Sequence, residues 1–161
     1  MAFDGLVAVV KDEDLSTPGL TQLYALGARH YKNGNEYVYV YNGQSAIGTG
    51  KYCVLEGIGS SITSGYTVTV TNASLANVLA GVAQNTIAAS GYGFVMVKGV
   101  SLISTDSGEV SAAAGVNLCL GTDGGFVAAG ATFSTAPRFG ITLNSFVTGA
   151  TSKARIYGSV L

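Results

Sequence analysis

Charge is what this sequence has least of. Only 11% of its 161 residues are Asp, Glu, Lys or Arg, against about a quarter in an average globular chain. Proline occurs twice, cysteine twice and histidine once. Each scarcity excludes something. Disordered chains combine low hydrophobicity with high net charge, whereas here 48% of residues are hydrophobic and the formal net charge is −1. A charged helical rod needs Glu, Lys and Arg that are missing. Eight Lys and Arg without a basic stripe do not make the footprint of a duplex-binding protein, so no direct nucleic-acid partner is expected. Uncharged apolar runs stay short of the roughly 18 residues a membrane helix needs, so no membrane span is expected. The N-terminus MAFDGLVAVVKDED places an acid ahead of its apolar stretch, unlike a signal peptide. Synthesis in a reducing cytoplasm is expected.

The residues that usually carry chemistry are sparse and poorly spaced. Cys53 and Cys119 each lie in an apolar run and read as buried free thiols. Together with His30 they offer no zinc spacing. Asp12, Glu13 and Asp14 are followed by Leu-Ser-Thr-Pro, which lacks the alternating oxygen ligands of a calcium loop. Gly48-Thr49-Gly50-Lys51 lacks the spacer and the Ser or Thr of a phosphate loop. No serine or cysteine motif accompanies His30, so a triad is unsupported. Asp106 and Glu109 are the one acid–base pair worth weighing, but Asp106-Ser107-Gly108-Glu109, like Asp123-Gly124-Gly125, has turn composition. No catalytic, cofactor-binding or metal-ligating residue is assigned, and no enzyme is expected.

What is abundant is glycine, 23 residues, roughly twice average usage and without the collagen period. It separates segments that alternate with period two. Asn33-Gly34 lies at the centre of residues 29–41, and both residues tolerate the positive φ of a type I′ turn, which predicts a hairpin. In its second strand Tyr37, Tyr39 and Tyr41 share one face, and Val38 and Val40 the other. Residues 66–71 alternate with valines inward and threonines outward. Only residues 74–84 (SLANVLAGVAQ) permit a helical reading, a short turn near 74–78. The fold expected is all-β: a compact β-barrel or sandwich, with an N-terminal arm and at most one short helix. Residues 1–22, carrying Pro18-Gly19, read as arm or lead-in, and residues 23–161 as one domain.

An internal repeat organises that domain. Thr49-Gly50-Lys51-Tyr52-Cys53-Val54-Leu55 resembles Ala114-Gly115-Val116-Asn117-Leu118-Cys119-Leu120. Residues 80–85 resemble 139–144, and 94–99 resemble 153–158. The interval from Gly81 to Gly99 equals that from Gly140 to Gly158. Two similar three-strand units, 49–99 and 114–158, are therefore expected to combine so that few sheet edges stay free.

Two surfaces are candidates for partners. Charges are unevenly placed: Asp4, Asp12, Glu13 and Asp14 lie near the start, and Arg138, Lys153 and Arg155 follow the last acid. This pattern suits a solvated acidic loop or a head-to-tail contact between copies. The tyrosine hairpin suits a packed core, a subunit interface, or a stacking platform for sugars.

At the level of particular residues, Leu26-Gly27-Ala28-Arg29, Gly34 and Tyr37-Val38-Tyr39-Val40 resemble the opening of small virion proteins of tailed bacteriophages. Residues 67–72 (TVTVTN), 77–83 (NVLAGVA), Ile87 and 92–99 (YGFVMVKG) are similar to their middle, so the resemblance spans roughly residues 23–158. It implies a capsid decoration (cement) protein: a compact β-rich subunit, often trimeric, that sits on the outer capsid lattice and reinforces the head. The chain lacks the Pro/Ala-rich character of the best-known small cement proteins. The partners implied are the major capsid protein and further copies of the chain. The contacts expected are the arm (Phe3, Leu6, Val7, Asp12, Glu13, Asp14) and the hairpin (Tyr37, Tyr39, Tyr41). A receptor- or carbohydrate-binding module of a head fibre or tail is the alternative, and a hydrolase using Asp106 or Glu109 a distant third.

Overall fold

The computed structural model describes residues 10–55, 66–69, 79–106, 112–121, 124–128, 138–147 and 149–158. The helical turn expected near 74–78 falls outside them. One turn of 3-10 helix, Asp12–Ser16, is followed by ten strands: β1 (Arg29–Lys32), β2 (Asn35–Asn42), β3 (Tyr52–Leu55), β4 (Thr67–Thr69), β5 (Leu79–Ala83), β6 (Tyr92–Ser104), β7 (Asn117–Leu120), β8 (Phe126–Ala128), β9 (Gly140–Thr142) and β10 (Thr151–Ile156). The chain is all-β, as its periodicity predicts. The β1–β2 hairpin turns at Asn33 and Gly34 with φ of 51° and 77°, the positive values that a type I′ turn requires.

Strands β2, β4, β3, β5 and β6 form a closed ring, because β2 pairs with β6 on one side and, in parallel, with β4 on the other. Closure removes the free edges of these strands. Val38, Val40, Cys53, Val68, Val95 and Val97 point inside it and are buried.

This first unit is repeated in register by the second half of the chain. Cys53 lies opposite Gly81 and Tyr52 opposite Val82; Leu118 lies opposite Gly140 and Asn117 opposite Ile141. Val82 pairs with Met96 as Ile141 pairs with Arg155. Isolated bridges join Ile47 to Ile87 and Ala112 to Phe146 at matching places. The repeat is larger than the three strands visible in the sequence. The C-terminal half of β6 pairs with β10 as β2 pairs with the N-terminal half of β6. A parallel bridge from Thr105 to Phe126 stands where Asn42 meets Val68. Each unit thus has five strands in the same order, and β6 serves as the last strand of one and the first of the other. Ile103, Leu118, Phe126, Phe146, Ala154 and Ile156 fill the second interior.

Passage from one unit to the next occurs at Gly99, φ 125°, where any Cβ would overlap the Asn35 side chain. Asn35 fixes this bend by accepting from the Val100 amide (2.9 Å) and donating to the Val100 carbonyl (3.3 Å). The units also lock together directly. Tyr52 packs edge-on against Phe126 (5.6 Å between centroids), its hydroxyl donates to the Gly121 carbonyl, and the Ser104 amide donates to the Gly50 carbonyl at 2.8 Å.

Candidate functional surfaces

The tyrosine face of β2 is interior. Tyr37 and Tyr39 are buried, and residues 10–28 lie over them as a lead-in layer. Tyr24 meets Tyr39 edge-on at 5.3 Å and Phe94 at 5.7 Å. The Tyr39 hydroxyl accepts from the Leu23 amide at 3.1 Å. Leu15 is buried in the same cluster. Such aromatic pairs add about 0.5–1.5 kcal/mol each beyond the area they bury. Tyr41 is half-buried and packs on Tyr92 at 5.0 Å. Of the three readings open for these tyrosines, the structure therefore places Tyr37 and Tyr39 in the core, where they offer no ring face to a sugar. Thr69, expected to face outward, is buried as well, because both faces of the first unit's strands are covered.

The lead-in is stitched down rather than free. Gly19 and Tyr92 exchange two backbone hydrogen bonds, at 3.0 and 2.7 Å. The three acids have separate roles. Asp12 bridges His30 (2.8 Å) and Lys32 (3.3 Å), and these neighbours hold its carboxyl below the ordinary aspartate range, the His30 hydrogen bond being the largest cause. Asp14 accepts from the Tyr24 hydroxyl and from the Lys11 amide (2.9 Å), which lower its carboxyl too. The same bond, aided by burial, pushes the Tyr24 hydroxyl up to about 12. Glu13 is exposed with Lys11 3.7 Å away. Phe3, Leu6 and Val7 lie outside the described residues.

The chemistry-bearing groups are scattered. Cys53 and Cys119 are buried free thiols, and burial raises both, Cys53 to about 12. Asp106 is buried, and its amide donates to the Phe126 carbonyl at 3.0 Å; Glu109 lies outside the described residues. Among the described residues no group of three His, Cys, Asp or Glu could hold a metal ion. An open cleft of about 270 Å³ where the two units meet is lined by Gly34, Lys98, Gly99, Arg155, Ile156 and Tyr157, with no carboxylate.

One exposed apolar surface lies away from the residues that the sequence singles out. On the outside of the second unit, two rows cross three strands: Val100–Arg155–Ile141 and Leu102–Lys153–Leu143. Leu102 is 50% exposed, Leu143 40% and Val100 38%. The equivalent rows of the first unit begin Tyr37–Met96–Val82 and Tyr39–Phe94; all five residues are buried, and Tyr24 of the lead-in packs on the second row. Strand β10 alternates across this face, exposed at Thr151, Lys153 and Arg155 and buried between them.

No protein-family profile and no curated protein matches the chain by sequence. Among solved structures, the head fibre gp8.5 N base of bacteriophage phi29 shares its fold, with a TM-score of 0.52 at 15% identity. The match covers 78% of this chain and 96% of that one.

Proposed function

We propose that the chain is a structural component of a phage head, and more finely a decoration protein that binds the outer capsid surface as a homo-oligomer, most simply a trimer, without catalytic activity. The observation that supports it best is the fold, which spans nearly the whole of a phage head fibre base. A head component needs a rigid body and adhesive surfaces. Two fused five-strand units with paired edges supply the first. The weakly charged exterior suits the second, since interface cores are depleted in charge and symmetric assembly multiplies modest contacts. The major capsid protein is the proposed partner, reached through the N-terminal segment with Phe3, Leu6 and Val7.

The segment that can be removed is shorter than residues 1–20. Leu15 belongs to the core and Gly19 bridges Tyr92, so a deletion that long strips part of the folded body. Deleting residues 1–9 is the cleaner test. Loss of cosedimentation with capsids, at an unchanged melting temperature, is expected; undiminished cosedimentation would remove the segment from the contact.

A further inference from the structure

We infer that the exposed face of the second unit is the docking site for the lead-in layer of a second copy of this chain, a head-to-tail contact. It rests on the reading of the chain as a self-assembling structural protein. Two independent observations carry it.

The first is the repeat itself. Equivalent rows of side chains occur on the outside of both units. In the first unit Tyr37, Tyr39, Phe94, Met96 and Val82 are buried, and Tyr24 of the chain's own lead-in packs on Tyr39 and Phe94. In the second unit the corresponding positions hold Val100, Leu102, Ile141 and Leu143, and among the described residues no segment covers them. Val100, Leu102 and Leu143 are exposed and Ile141 is half-buried, and apolar surface rimmed by polar groups is the usual composition of an interaction site.

The second is charge. The four aliphatics are interleaved with Arg155 and Lys153, both exposed and without an ion-pair partner among the described residues. The occupant should therefore be apolar and acidic. The lead-in fits: residues 10–28 carry three acids against one lysine and expose Leu20 and Leu23, with Glu13 and much of Asp12 at the surface beside Lys11, His30 and Lys32. One layer then serves two units, its inner side covering the first unit of its own chain and its outer side the second unit of the neighbour. The two surfaces differ, so the contact is heterologous and closes into a ring or propagates.

Leu102→Asp spoils one surface and Leu20→Asp the other; both residues are exposed, so folding is expected to survive, and far-UV circular dichroism checks it. Wild-type protein should show a multi-subunit mass by sedimentation velocity. Each variant alone should lose at least about tenfold in association. Mixed in equal amounts, the variants should form a heterodimer of twice the monomer mass, because one intact surface of each kind remains. A monomeric wild type, a variant of unchanged mass, or a mixture that stays monomeric would each overturn the inference. Capsid cosedimentation of the two variants is read separately, so failure here leaves the proposed function standing on its own test.

Discussion

Asn42 and Thr105 occupy the same place in the two units. The Asn42 side-chain amide donates to the Ala88 carbonyl at 2.9 Å, and the Thr105 hydroxyl to the Val147 carbonyl at 3.1 Å. Their amides match as well, donating to Gly91 at 2.8 Å and Ala150 at 2.9 Å. Each side chain ties the end of one strand to the loop before the closing strand of its unit.

Removing either tie deletes side-chain hydrogen bonds made by a buried residue, although the Ile87, Ala88, Val147 and Ala150 carbonyls each keep a backbone donor. Asn42→Ala also gives up bonds to Ser45 and Ile87, so a loss of about 2–3 kcal/mol is expected, and about 1–3 kcal/mol for Thr105→Val. Urea denaturation of the two variants checks this. Neutral effects at both sites would contradict a stabilising role for these ties.

How much of this was legible can be judged from the same pairs. Gly50, Gly81 and Gly99 have counterparts in Gly115, Gly140 and Gly158, and that spacing disclosed the repeat. The outer strands stayed hidden: Tyr37-Val38-Tyr39-Val40 and Val100-Ser101-Leu102-Ile103 share alternation but almost no residue types. Alternation marks which side chains share a face, but not what lies over that face. The tyrosines and the Val100 and Leu102 rows therefore looked alike in sequence, although one set is core and the other surface. Pro18-Gly19 left an arm and an irregular lead-in both open, because the Gly19–Tyr92 pairing is long-range and leaves no local pattern.

The glycine pair also separates strain from crowding. Gly50 and Gly115 have φ of 77° and 83°, so alanine at either enters the left-handed region. A Cβ on Gly115 meets nothing within 4 Å, whereas one on Gly50 stands 2.8 Å from the Ser104 nitrogen. Gly115→Ala should cost about 1–2 kcal/mol and Gly50→Ala about 3 kcal/mol or more. Equal shifts in denaturation midpoint would show that the two units do not press together at Gly50.

Attachment of the lead-in should depend on pH at both extremes. The lowered Asp14 carboxyl stabilises the fold above its ordinary value of 3.8, and this is lost as pH falls through the lowered native value. The raised Tyr24 hydroxyl contributes fully below its ordinary value of 10.0, and this is lost as pH rises toward about 12. Melting temperature measured against pH should fall in both windows. Tyr24→Phe should flatten both limbs; a variant with the wild-type profile would refute the link.

Neither thiol should react while the protein is folded. Burial holds Cys53 near 12 and raises Cys119, so thiolate is scarce and access blocked. Labelling with a thiol-specific chromogen at about pH 8 should appear only after denaturant is added. Rapid labelling of two thiols in native protein would contradict this packing.

The proposed role, a phage-head component bound to the outside of the capsid, has one decisive test. The most direct measurement is cosedimentation of the purified wild-type protein with capsids that lack it, followed by counting the bound copies. Saturable binding in a fixed ratio to the capsid protein is predicted. Capsids that sediment without the protein, at concentrations where it is folded and assembled, would contradict the claim.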